Sequence, residues 1–511
     1  MAVTVIRTRD GVIDEGDKAA FNGLKDRLSS GQKTVLLHLH GGLVSQADGE
    51  ATAERLAADG PSSYNAPDAF EQVYVVWRTG LLETMRTNWR DLFENDRLYR
   101  SLFKRLLRYA ASRVKLPDGT GRSLGSTVVL TDAEIEARLT SGEDAPFEDL
   151  DEILKVEGPS RSLETLADSE QDVEAEVQIM LEYDPEFLEI AASIASASGS
   201  EDGGRLGGTP GDYVEGESIL RRLDPDIRSE FEGGVSEASD RAILSGAAVL
   251  KKVVKHAAKI GWRVIKRFRD GRHHGLHATI VEEILRELYG DLIGATIWGM
   301  MKTDAADHFS ESGFGQALVE ALVGSNHRVI VIGHSAGAIW AAEFLKAGAK
   351  QGSFPRTELH LLAPAIRTIE FAEMIAAAGG LISHFRIFTM SDYYERRDPV
   401  LGKKLGAIYP SSLLYVISGI LEERQNGAYV DAPVLGMQRF IDREPDWIAE
   451  DDERGAINAS RTFLSGIDNS RVYSVVDDGP GLSSSAIAHG DFDDDEATLS
   501  SIAHTFSNPA A

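Results

Sequence analysis

The sequence predicts an α/β protein: a mostly parallel sheet with helices on both faces, and one large helical insertion between two of its strands. Three observations predict this. Stretches of strand and helix character alternate from one end of the chain to the other, as in sheets whose parallel strands are joined by helical crossovers. Residues 328–332, RVIVI, are a short β-branched run without a polar break, the pattern of a strand buried on both faces, and they pass through GHSAG directly into a helical pattern. Three strands fall before residue 80, yet the next begins at residue 328, too far away for a single crossover helix.

Taken in order, residues 2–8 alternate around Val3 and Val5 and read as a first strand. Residues 17–28 read as a helix capped by Asp17. Residues 34–39 are strand-like and are closed by His40-Gly41-Gly42-Leu43; residues 72–78 make the next strand. The predicted core comprises residues 1–80 and 278–511, with residues 81–277 as the insertion. The insertion has three textures. Residues 85–115 are helical and basic, with Arg86, Arg90, Arg97, Arg100, Lys104, Arg105, Arg108 and Arg113 set among leucines and phenylalanines. Residues 118–240 are mostly acidic, with helical pieces at 132–140 and 173–182. Residues 196–216 have the Gly- and Ser-rich composition of a disordered stretch. Residues 247–269 are a second basic amphipathic helix.

Two readings of the basic helices follow from their composition. They pack their apolar faces on the body while acidic partners answer their charge. Alternatively they form a lid, with peripheral membrane contact through residues 85–115 and 247–269 as lysine and arginine meet anionic headgroups. The short RHHGLH cluster at 272–277 lacks further ligands at a metal-binding spacing and reads as a loop or helix entry. Residues 279–289 and 316–323 read as helices, while 293–301 fits a strand or a buried helix. Beyond GHSAG the pattern gives helix 338–350, strand 357–363, helix 366–378, strand 385–389, helix 410–422, strand 471–476 and helix 496–506.

Bulk properties narrow the function classes. The 511 residues carry no cysteine, which removes disulfides, thiolate metal sites and cysteine nucleophiles. The net charge of −28 opposes general nucleic-acid binding, which needs a basic footprint. Neither a basic-then-apolar leader nor a bilayer-length apolar run is seen, so a soluble cytoplasmic protein is expected. No metal or organic cofactor is implied.

The chemistry centres on Gly333-His334-Ser335-Ala336-Gly337. A serine at a sharp strand-to-helix turn is strained and crowded, and flanking glycines remove the clashes. The helix that follows points N–H groups and partial positive charge at the same spot. This stretch resembles the nucleophile elbow of the α/β-hydrolase superfamily, in the form common among lipases and esterases. The resemblance covers residues 34–78 and 328–506; the insertion lies outside it. It implies the α/β-hydrolase fold, with the insertion as a lid or cap near the active-site mouth. It further implies Ser335 as nucleophile, Asp392 as acid and His489 as base, in that chain order. Each falls just past a predicted strand, where ligands bind in such sheets. Asp398, after YYERRD, is the alternative acid. An oxyanion hole is implied at the Ala336 N–H and at the His-Gly turn, with Gly42 the first choice and Leu43 the next. The Asp-rich run 491–495 lacks the glycine and terminal glutamate of a calcium loop and reads as acids crowding a helix N-terminus.

The function this implies is hydrolysis of a carboxylic ester, small-molecule or lipid, through an acyl-enzyme. A lipase or phospholipase working at membranes is one alternative. A catalytically silent fold whose acidic insertion recruits protein partners is the other.

Overall fold

The computed structural model describes residues 2–41, 45–77, 81–113, 128–143, 145–157, 169–198, 210–232, 246–290, 294–402, 405–422 and 431–507. The chain is α/β. Its central sheet has eight strands: β1 Ala2–Arg9, β2 Val12–Ile13, β3 Thr34–Leu39, β4 Phe70–Trp77, β5 Arg328–His334, β6 Thr357–Leu362, β7 Ile382–Met390 and β8 Arg471–Ser474. Their order is β2-β1-β4-β3-β5-β6-β7-β8. β2 folds back on β1 as an antiparallel edge, with Thr8 opposite Ile13. All the other pairings are parallel.

Period-2 alternation divides the sheet between two apolar layers. In β5, Val329 and Val331 join the layer that includes Phe21 and Leu24 of helix Lys18–Ser29 and Leu318 of helix Phe314–Leu322. Ile330 and Ile332 point the other way, to Ala53 and Leu56 of helix Gln46–Ala57 and Leu499 and Ile502 of helix Glu496–Ser507. Both faces are covered, so β4 and β6 are buried at every residue and β5 at all but its first. That is why RVIVI shows no polar break.

The chain leaves β3 toward β4 on one side and leaves β5 toward β6 on the other. The carboxyl ends of β3 and β5 therefore flank a crevice where the winding direction reverses, the usual position of a ligand in an open α/β sheet.

Between β4 and β5 the described residues are helical, from Leu81–Asn95 to Phe314–Leu322. The two basic helices are answered by acids. On Arg97–Ala111, Arg97 reaches Glu189 at 2.6 Å, Lys104 reaches Glu136 at 2.6 Å, and Arg105 reaches Asp184 at 2.6 Å and Asp132 at 2.8 Å. On Gly246–Arg269, Lys259 and Arg263 share Glu287 at 3.0 and 2.6 Å, and the fully buried Arg267 sits between Glu282 and Glu283. The apolar faces of both helices, including Leu102, Leu106, Val253, Ile260 and Val264, belong to the main core. Both helices thus pack as amphipathic body elements. Among the described residues, no helix is long and apolar enough to cross a membrane.

Several expectations change. The ambiguous 293–301 stretch contributes to helix Ala295–Asp307. Within 196–216, Pro210–Arg222 begins a helix whose Gly216 backs onto the Ser193 carbonyl, while 199–209 lie outside the described residues. The long helix expected over 410–422 is a short turn, Leu413–Val416, running into a π-helical turn, Ile417–Leu421. Asp17 does not cap its helix through its side chain. Its carboxylate instead takes the Arg7 guanidinium at 2.6 and 2.8 Å, a stronger charge-assisted pairing.

Candidate active site

Ser335 stands between β5 and helix Gly337–Ala349 with φ 53°, a left-handed conformation rare for a residue with a Cβ. Three backbone bonds hold it there. Its N–H donates to the Leu362 carbonyl at 2.8 Å, and its carbonyl accepts from Ala365 at 3.0 Å and Ala338 at 3.1 Å. The turn is too tight for side chains: a Cβ on Gly337 would stand 2.3 Å from the Leu39 carbonyl oxygen. Gly41, just past β3, is close too: a Cβ there would lie 3.2 Å from the Ser335 Cβ. The glycine turn after β3 and the serine turn after β5 therefore touch.

His489 comes from the loop before the last helix, and its Nε2 lies 2.9 Å from Ser335 Oγ. Both residues are buried. Burial, and then the neighbouring His334, hold the His489 imidazole down at about 3, against a smaller pull from Asp493. The ring is therefore neutral and able to accept a proton at working pH. Its Nδ1 is buried without a hydrogen-bond partner.

The acids divide differently from the expected order. Asp392, expected to orient His489, is engaged elsewhere: its Oδ1 accepts from the Tyr415 hydroxyl and its Oδ2 from Arg396 Nε at 3.0 Å. Burial pushes the Asp392 carboxyl up, but Arg396, Arg439 and Tyr415 outweigh it and hold it at about 2. The physical reason is the short helix Asp392–Glu395, which places Arg396 one turn on and directly over the carboxylate. Asp398, the alternative, does reach the histidine: its Oδ2 accepts the His489 backbone N–H at 2.7 Å. Between them lies Glu395, fully buried and bonded to Ser412 Oγ. Burial, with Asp398 and Asp392 nearby, raises its carboxyl well above the usual range.

The Ala336 N–H lies at the N-terminus of helix Gly337–Ala349, where amides have no intrahelical acceptor, and so faces the space beside Ser335. Gly42 and Leu43 lie outside the described residues. His38 and His40 brace this region as structural side chains. His38 Nδ1 meets the Tyr64 hydroxyl at 2.9 Å, and His40 Nε2 accepts the Trp77 N–H at 3.1 Å.

A comparison with known proteins finds no matching family model, and no significant match among curated proteins or solved structures. The site therefore rests on its own geometry.

Three neighbours were not anticipated as site residues. His334 sits 3.1 Å from the His489 carbonyl through Nε2 and 3.5 Å from the Asp493 carboxylate through Nδ1. Arg55 holds Asp493 by its backbone carbonyl at 2.6 Å. His334 was visible only as the variable position of the serine motif. Asp493 was visible only within the acid run, where Asp495 does cap the last helix by accepting the Thr498 N–H at 2.9 Å.

Among the described residues, no group of three or more His, Cys, Asp or Glu is arranged to hold a metal ion. In the 272–277 cluster, His274 pairs with Glu282 at 2.8 Å and Arg272 with Asp431 at 2.5 Å, buried bonds that knit the insertion to the core. A cleft between the insertion and the turn after β7 is lined by Phe147, Glu148, Asp151, His277 and Arg396, but not by Ser335 or His489.

Proposed function

We propose that this chain is a serine hydrolase of the α/β-hydrolase type that cleaves a carboxylic ester through an acyl-enzyme. The observation that carries this reading is the 2.9 Å approach of His489 Nε2 to the hydroxyl of a positive-φ serine at a strand-to-helix turn. A serine hydroxyl is a weak nucleophile at neutral pH, and a neutral imidazole in hydrogen-bond contact removes that limit.

In the proposed reaction, Ser335 Oγ attacks the ester carbonyl carbon as its proton passes to His489 Nε2. The carbonyl π electrons move onto oxygen, which the Ala336 N–H binds. Collapse breaks the bond to the alkoxy oxygen, and His489 returns its proton to that oxygen, releasing the alcohol. Water then repeats the sequence against the acyl-serine and frees the carboxylic acid. Preorganised donors for the oxyanion are worth about 3–4 kcal/mol each in serine hydrolases generally.

We assign the orienting acid to Asp398 rather than Asp392. Its carboxylate accepts the His489 backbone N–H at 2.7 Å and so anchors the loop that carries the ring, whereas the oxygens of Asp392 are bonded to Arg396 and Tyr415. The negative carboxylate that favours the imidazolium formed in each half-reaction is that of Asp493. The ion pairs that cover the basic helices leave the membrane-acting alternative without a specific supporting observation.

The test is covalent labelling with a fluorophosphonate, read by intact mass. Wild type is expected to gain one adduct and Ser335→Ala none. Labelling of both, or of neither, overturns the proposal.

A further inference from the structure

The side chains around His489 contain a second histidine–carboxylate pair that the proposed reaction does not use as acid or base. His334 Nε2 is 3.1 Å from the backbone carbonyl oxygen of His489, and a carbonyl only accepts, so Nε2 carries a proton. His334 Nδ1 faces an Asp493 carboxylate oxygen at 3.5 Å, and an ionised carboxylate only accepts, so it favours a proton on Nδ1 as well. A ring protonated on both nitrogens is a cation. The pair is braced from behind. Arg55, on helix Gln46–Ala57, donates to the Asp493 carbonyl at 2.6 Å and reaches its Oδ1 at 3.4 Å, while also bonding the Ser62 carbonyl at 3.0 Å. The His334 and His489 rings lie 5.6 Å apart and 27° from parallel.

We infer that His334, clamped by Asp493 and Arg55, is a positioning residue that pins the His489 loop and sets a fixed positive charge against the face of the His489 ring. The inference rests on the reading of His489 as the general base. His334 occupies the position before the nucleophile, so one turn of chain carries both the serine and the group that holds its base. The charge has a consequence beyond placement. A cation beside an imidazole disfavours a second cation, which keeps His489 in the proton-accepting form to lower pH. The groups facing His489 are His334 and Ser335 at the end of β5, Asp493 on the turn Asp491–Asp493 and Asp398 after β7, with Arg55 and His38 behind Asp493. Burial works to lower His334, but Asp493 and the His489 carbonyl outweigh it and hold it above the ordinary imidazole value. Asp493 is held at about 2 because His334, His38 and Arg55 overcome the effect of its burial.

The test separates charge from placement. In the full-length protein with 15N-labelled histidine, imidazole titrations are followed by NMR for wild type, His334→Gln and Asp493→Asn. The glutamine amide still donates to the His489 carbonyl but carries no charge. His334→Gln is expected to move the His489 midpoint up by about two pH units, the scale set by a unit charge across 5.6 Å at an effective dielectric constant of about 20. Asp493→Asn, nearly isosteric and therefore the safer fold, is expected to lower the His334 midpoint. His334→Ala, which has no donor, is expected to slow fluorophosphonate labelling at pH 8 by about 10–100-fold, as misplaced catalytic groups do. An unmoved His489 midpoint in folded His334→Gln, or a His334 that is neutral at pH 7 in wild type, overturns the inference. Wild type that never labels at any pH defeats the ester-hydrolase reading instead, and the titrations still decide whether the charged pair exists.

Discussion

The choice between Asp398 and Asp392 is the sharpest prediction, because the two carboxylates differ in what their loss exposes. In Asp398→Asn the His489 N–H faces an amide in place of a carboxylate oxygen at 2.7 Å. This backbone hydrogen bond to a charged group contributes about 1.5–3 kcal/mol to anchoring the loop that holds His489 against Ser335. A loosened loop displaces the base from the serine, so kcat is expected to fall by about 10–100-fold. In Asp392→Asn the loss falls on the fold. Arg396 keeps a buried guanidinium whose Nε partner at 3.0 Å is now neutral, and the Tyr415 hydroxyl loses a charged acceptor. Breaking a buried ion pair costs about 3–5 kcal/mol; the Asp392 side chain is 30% exposed, so about 1–3 kcal/mol is the fitting figure. The assays are urea-midpoint stability and turnover of a p-nitrophenyl ester, each on both variants. Folded Asp392→Asn that has lost catalysis, beside Asp398→Asn that keeps it, refutes the assignment and restores the acid nearer the strand end.

Two further outcomes are expected. Ser335→Gly should be more stable than Ser335→Ala by about 1 kcal/mol in urea unfolding, because glycine relieves the φ 53° conformation and alanine does not; equal stabilities would remove strain from the account. Stability should also fall from pH 6.5 toward pH 4. His38, His277 and His489 are held at about 3 and His40 and His308 at about 4, chiefly by burial, so the unfolded chain binds protons there that the folded chain does not. Each such histidine contributes up to about 1.4 kcal/mol per pH unit. Asp96 and Asp304, raised to about 6 by burial, work in the opposite sense between pH 4 and 6 but are fewer. A urea midpoint that is flat or rising as pH falls through this window contradicts the sign.

Much of the sheet was legible because burial on both faces leaves a mark on composition. Beyond Arg328, RVIVI is apolar because every later residue of β5 is buried. Residues 34–39 were bounded correctly because a β-branched and leucine run ends at a glycine turn. The antiparallel edge β2 was missed: two residues after Asp10-Gly11 carry too little pattern to register. The stretch 293–301 was undecidable by periodicity because its short apolar run fits a strand or a helix alike, although in the helix only one side, with Trp298 and Met301, is buried.

The serine and the histidine were legible for a reason that does not extend to the acid. Ser335 is fixed by sterics that only glycine satisfies, and the requirement is written into the sequence at Gly333 and Gly337. His489 stands out because it is a histidine in a loop after the last sheet strand. The proposed acid has three candidate carboxylates, Asp392, Glu395 and Asp398, on the segment that follows β7. Distance from the strand end does not say which of them faces the base. What separates them is the arginine and tyrosine that claim Asp392 and the buried Ser412 hydroxyl bonded to Glu395, and these partners come from residues 396, 415 and 412. The same holds for Asp493, whose partner, His334, lies far away in sequence and meets it only because β5 and the last loop end at the same crevice. A charge in a sequence announces that a carboxylate exists; its role is set by which cation the fold brings to it, and that information lies in the pairing of distant segments.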